Sequence, residues 1–125
     1  MNIGKKRIEE SNYDCLVIYV RKIQQIKIPN FIEHICSYSF YHCEQLEKVE
    51  ISNDSKLQTI DKYAFYYSTI KSIRIPSSVI SIGEDAFFGC ISLCIIEFDN
   101  TEMISLYQTA FKDCHNALIM IPFHS

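Results

Sequence analysis

The sequence predicts an α/β solenoid, and three observations carry that prediction. Four short segments echo one another: Ser39-Phe40-Tyr41-His42-Cys43, Ala64-Phe65-Tyr66-Tyr67-Ser68, Ala86-Phe87-Phe88-Gly89-Cys90 and Ala110-Phe111-Lys112-Asp113-Cys114. Their phenylalanines step by 25, 22 and 24 residues. Self-similarity at this period marks coils that cannot bury an apolar face alone and so stack on their neighbours. Upstream of each phenylalanine lies an apolar triplet: Ile23/Ile26/Ile28, Leu46/Val49/Ile51, Ile70/Ile73/Ile75 and Leu93/Ile96/Phe98, with starts 23, 24 and 23 residues apart. A proline or a polar residue then follows, Pro29, Ser52, Pro76 or Asp99.

Each element has a physical reason. Apolar residues alternating at the last two triplet positions read as a short strand with one buried face. Proline lacks an N–H and fixes φ, so it ends the ladder and turns the chain. A second apolar pair follows, Ile32/Ile35, Leu57/Ile60, Val79/Ile82 and Met103/Leu106, read as a short extended segment. The phenylalanine and the Cys43, Ser68, Cys90 or Cys114 three residues on lie on one face of a short helical turn, with the small Ser39, Ala64, Ala86 or Ala110 letting that turn approach the sheet. Residues 23–125 thus read as about four full rungs plus a fifth strand at Ile119-Met120-Ile121, and residues 1–22 as an N-terminal cap or a degenerate first rung.

Composition narrows the function. A formal charge of -3 over 125 residues supplies no basic field for nucleic acid or an anionic membrane surface. No apolar run approaches the ~18 residues of a membrane span, and the 15–20 run falls short of the ~7–15 apolar residues of a secretory signal. The default expectation is therefore a cytoplasmic chain.

The stretch Ile70 to Cys90, read as L-x-x-I-x-I-P-x-x-V-x-x-I-G-x-x-A-F-x-x-C, resembles the BspA-like leucine-rich repeat. The likeness extends over roughly 23–122, with departures at Ser52, Ser68 and Asp99, at Cys36, Asp61 and Tyr107 where Gly83 fits the pattern, and in small insertions before Leu57 and Met103. It implies a short leucine-rich repeat right-handed superhelix, with a parallel β-sheet on one face and short helical turns on the other. It further implies a non-catalytic protein–protein interaction module, surface antigen or adhesin-like and hence at the cell surface. A structural segment of a longer array or an intracellular scaffold is the alternative, with self-association through the C-terminal sheet edge.

The outward strand positions are the candidate interaction site. One column reads Lys27, Glu50, Arg74, Glu97 and the next Gln25, Lys48, Ser72, Ile95. Opposite charges on adjacent rungs make a solvated ladder worth roughly 0.2–1 kcal/mol per pair, or a polar face that recognises a protein partner. On the recognition reading, reversing Glu50 and Arg74 together abolishes binding and leaves stability nearly unchanged. A second stripe, Tyr38, Tyr41, Tyr63, Tyr66, Tyr67 and Phe88, either packs turn on turn or forms an interface.

No cofactor is expected. His34, Cys36, His42 and Cys43 have ligand types that zinc accepts, yet Cys43 belongs to the repeat's core column and Cys36 to a corner. Free thiols behaving as small hydrophobes are the reading for the six cysteines. Gly-rich phosphate loops, G-x-S-x-G and H-E-x-x-H are absent from the sequence, so an enzyme is not expected.

Overall fold

The computed structural model describes residues 15–16, 22–102 and 104–121, the first pair by backbone alone. Met103, Pro122 and most of the 1–22 segment lie outside the described residues.

The apolar triplets end in four-residue strands: β2 (Gln25–Ile28), β4 (Lys48–Ile51), β6 (Ser72–Ile75) and β8 (Ile95–Phe98), followed by the three-residue β10 (Leu118–Met120). They form one parallel sheet in the order β10-β8-β6-β4-β2. Alternation does its work here: Ile26, Ile28, Val49, Ile51, Ile73, Ile75, Ile96 and Phe98 point inward and are buried.

The second apolar pair forms strands as well. β1 (Cys15–Leu16), β3 (His34–Ile35), β5 (Thr59–Ile60), β7 (Ser81–Ile82) and β9 (Ser105–Leu106) build a second parallel sheet in that order. Ile35 pairs with Ile60, and Ile60 with Ile82, so one apolar column runs down this wall at about 1% exposure or less.

The third wall corrects the expected helical turns, because the described residues contain no helix. Tyr38, His42, Tyr63, Tyr67, Asp85, Gly89 and Asp113 all take positive φ, between 52° and 69°. A left-handed residue two positions after each phenylalanine cannot continue an α-helix. The N–H groups also point elsewhere. A helix directs them to the residue four back, whereas here the Phe40, Phe65 and Phe87 N–H groups donate to the carbonyls of Ala64, Ala86 and Ala110 on the next rung at 2.7, 2.6 and 2.8 Å. The His42, Tyr67 and Gly89 N–H groups do likewise to Tyr66, Phe88 and Lys112 at 2.8, 2.8 and 3.0 Å. The turns are therefore a third inter-rung ladder, with bonds such as Cys43 N–H to Phe40 O (3.2 Å) closing each turn locally. The architecture is a β-solenoid of stacked parallel strands.

The phenylalanines form the expected column. Phe40–Phe65 and Phe65–Phe87 stack with ring centroids 4.8 Å apart and Phe87–Phe111 at 5.0 Å. These distances match the ~4.8 Å spacing of adjacent strands, so rings and backbone repeat together. Ala64, Ala86 and Ala110 are almost fully buried beside them, and Ser39 fills the same slot with its hydroxyl donating to Cys36 O at 2.6 Å. Cys90 and Cys114 donate their thiols to Phe65 O and Phe87 O, each at 3.0 Å, which explains a small S–H donor at that position.

Phe87 is fully buried between two rings. Phe87→Ala is expected to lower unfolding free energy by about 3–5 kcal/mol, read as a shifted urea midpoint. A loss under about 1 kcal/mol would mean that the column carries little of the fold.

Candidate functional site

The outward strand positions fall in register. Gln25 lies beside Lys48 and Lys27 beside Glu50 across β2–β4, while Ser72 lies beside Ile95 and Arg74 beside Glu97 across β6–β8. Between these pairs the sheet loosens. β4 and β6 pair at Lys48 and Ser72, where each neighbouring strand pair holds four residues in register. An open cleft of about 440 Å³ occupies the seam, lined by Lys48, Glu50, Ser52, Asn53, Ser72 and Arg74 among others.

Pro76 accounts for the seam. On the next rung the Asp99 N–H donates to Ile75 O at 3.0 Å. The corresponding donor to Ile51 O would be residue 76, and proline has none. Arg74 supplies the missing hydrogen bond: its Nη1 donates to Ile51 O at 3.2 Å. Nη2 donates to Asn53 Oδ1 at 2.6 Å and lies 3.2 Å from Asp99 Oδ2. One side chain thus ties three rungs together, and its charge is directed to Asp99 rather than along the column to Glu50.

The consequence for the expected binding site is specific. Lys27, Glu50, Lys48, Gln25, Ser72, Ile95 and Glu97 lie exposed on the long-sheet face, and Arg74 is half-buried. The ion pair between Lys71 and Glu47, at 2.7 Å, is formed by exposed residues just before the strands, where such pairs contribute little. Asn53, Asp54 and Asp99 were not among the sequence-predicted site residues. Asp54 sits in the rung-two insertion and accepts hydrogen bonds from Ser52 Oγ (2.6 Å) and Asn30 Nδ2 (3.1 Å), which hold its carboxyl below the usual range. The sequence signal was available in Pro76: a proline at a ladder-donor position demands a substitute donor nearby.

The turn wall carries the aromatic stripe. Tyr38 stacks on Tyr63 at 5.4 Å, Tyr41 on Tyr66 at 5.3 Å, and Tyr66 on Phe88 at 5.0 Å. His42 joins them, 5.2 Å from Tyr67. Tyr67 in turn lies over Gly89, where an added Cβ would sit 2.4 Å from its ring. The rings therefore pack turn on turn, as one of the two expected readings has it, and Tyr38 and Tyr67 remain 53% and 42% exposed. The Tyr63 hydroxyl donates to Glu84 Oε2 at 3.2 Å, and that hydrogen bond, with the charges of Glu84 and Asp85, raises the phenol above its ordinary value.

The four residues with zinc-ligand chemistry are put to separate uses. His34 Nδ1 lies 2.7 Å from Thr59 Oγ1 in the short sheet, His42 stands in the aromatic stripe, and Cys43 is buried in the core. The reading of all six cysteines as free thiols is corrected at Cys36, which is disulfide-bonded. Cys36 sits half-buried at the corner after β3, off the core column. Cys43, Cys90, Cys94 and Cys114 are not disulfide-bonded. The neighbouring Cys114 thiol first, and burial second, push the Cys90 thiol up, so it remains neutral rather than nucleophilic.

Because Arg74 replaces a ladder donor, Arg74→Glu is expected to destabilise the fold by about 1–3 kcal/mol, the cost of an unsatisfied buried carbonyl. Glu50→Lys, on an exposed side chain, should leave the melting temperature within error. Equal melting temperatures for both variants would refute the structural role of Arg74.

Comparison with known proteins agrees with this geometry. The BspA type leucine rich repeat region matches residues 13–125 in six copies. A leucine rich cell surface protein from Faecalibacterium prausnitzii A2-165, known from its crystal structure, is similar in fold with a TM-score of 0.56 and 24% identity. The alignment covers 88% of this chain but 35% of that one, so the chain spans about a third of that protein's length. No curated protein matches the chain. A match over nearly its whole length, on coils whose phenylalanine column and parallel ladders are in place, makes the chain a member of the BspA type leucine-rich repeat family.

Proposed function

We propose that this chain is a non-catalytic protein-interaction module that binds its partner on the long-sheet face, around the β4–β6 seam. Membership of a leucine-rich repeat family supports an interaction role in general. The observation that carries the face is the seam itself. It is an open cleft of about 440 Å³ in which the charged Lys48, Glu50 and Arg74 stand beside Val49, Ile51 and Ile73, held open by Pro76 and braced by Arg74. Solenoid sheets offer extended concave surfaces of this kind for binding. Lys48 and Glu50 are its exposed charged residues, joined at the flanks by Gln25, Lys27, Ser72, Ile95 and Glu97.

An adhesin-like setting at the cell surface fits this reading. The structural neighbour is described as a cell surface protein, and the Cys36 disulfide suits an oxidising compartment. Among the described residues no helix is long and apolar enough to cross a membrane. The test is capture of a partner from the native cell surface with wild-type chain and with Lys48→Glu/Glu50→Lys, which leaves Arg74 in place. The partner should be retained by the wild type and lost by the variant, with melting temperature unchanged. Equal capture by both places the site elsewhere.

A second reading, a segment of a longer array, rests on the last rung. Leu106, Leu118, Ile119, Met120 and Ile121 are 45–68% exposed, and β9 and β10 are both sheet edges. Edges that no described coil covers invite pairing with another coil or another copy. Sedimentation should show concentration-dependent oligomers that Ile119→Lys/Ile121→Lys abolishes. A monomer at all concentrations would remove this reading.

A further inference from the structure

The aromatic turn wall is unused by the strand-face reading, and its chemistry differs from that face. We propose that it is a second docking surface, and that it receives an arginine-bearing segment of a protein partner.

Tyr38, Tyr63 and Asp85 occupy one left-handed position of successive turns, and His42, Tyr67, Gly89 and Asp113 the other. Asp and Gly adopt that conformation at low cost, whereas an aromatic side chain opposes it. Rungs three and four show that the turn closes well with Asp, Gly and Asp. The rings of rungs one and two are therefore not demanded by the turn, and they are placed where Tyr38 and Tyr67 stay half-exposed.

Charge complementarity selects the partner. Glu84 is hydrogen-bonded to the Tyr63 hydroxyl, and Asp85 acts on both Tyr63 and Tyr66. Rings bordered by carboxylates are suited to a cation, which gains from both the ring quadrupole and the acid. The ring column Tyr41, Tyr66, Phe88 continues in register to Lys112, so the chain itself sets a cation at the end of that column. Arginine satisfies the site better than lysine, because a planar guanidinium stacks on rings while its fork donates to a carboxylate.

The experiment titrates the folded chain with a capped Gly-Arg repeat hexapeptide and with the same peptide carrying citrulline, which keeps the shape and removes the charge. With no tryptophan among its residues, the chain reports binding directly through tyrosine emission. The arginine peptide should bind saturably, and the citrulline peptide about tenfold or more weakly. Tyr38→Asn/Tyr67→Asn should weaken the arginine peptide by about tenfold while folding at least as well, because asparagine tolerates the left-handed region. Glu84→Gln/Asp85→Asn should weaken it too. The Lys48→Glu/Glu50→Lys variant should bind it as the wild type does, so this test and that of the strand face fail independently. Unchanged binding in the tyrosine variant would reduce the effect to net charge and overturn the proposal. So would an absence of saturable binding, or self-association abolished by the tyrosine variant, which would make a second copy the occupant.

Discussion

Each coil of this chain needs its neighbour as a place to bury an apolar face, and that need sets everything else in register. Phe40, Phe65, Phe87 and Phe111 repeat at 4.8–5.0 Å because three walls of backbone repeat at the same spacing. The two parallel sheets supply two of those walls and the turn-to-turn hydrogen bonds supply the third. A ring can stack on its neighbour only if all three ladders advance by one strand per coil. The regularity of the core is thus a consequence of backbone satisfaction as much as of apolar burial.

Irregularity appears where the ladder loses a donor. Pro29 and Pro76 end strands as the sequence suggests, but Pro76 also stands beside the interior strand β4 and deprives Ile51 of its partner. Arg74 restores the hydrogen bond and in doing so reaches Asn53 on one rung and Asp99 on another. The cleft at this seam and the brace across it have one origin. A residue that reads in sequence as one member of an alternating charge column acts in the folded chain as a replacement for a missing amide.

The last rung and the turn wall show the same logic in other forms. At the last rung Leu106 and Ile119 occupy positions that are buried in earlier coils, and they are exposed because no coil follows them among the described residues. On the turn wall, inter-rung hydrogen bonding requires a left-handed residue in each turn. What side chain sits there is then free to vary, from glycine to tyrosine, and the variation gives the wall its aromatic half and its acidic half.

Much was legible in the residues alone. The period, the strand triplets, the inward Ile26, Val49, Ile73 and Ile96, and the phenylalanine column follow from apolar spacing, because stacking imposes one repeat on every coil. The family follows from the same spacing. Three features required the folded chain. The turns are non-helical, since the choice between bonding within a turn and across to the next rung depends on where that rung lies. Arg74 braces three coils, since its partners are 21 to 25 residues away and meet only when the rungs stack. Cys36 is disulfide-bonded while Cys43 is not, since the first sits at a corner and the second in the core. Periodicity sets which side chains face inward; the distances between coils decide what those facing outward can reach.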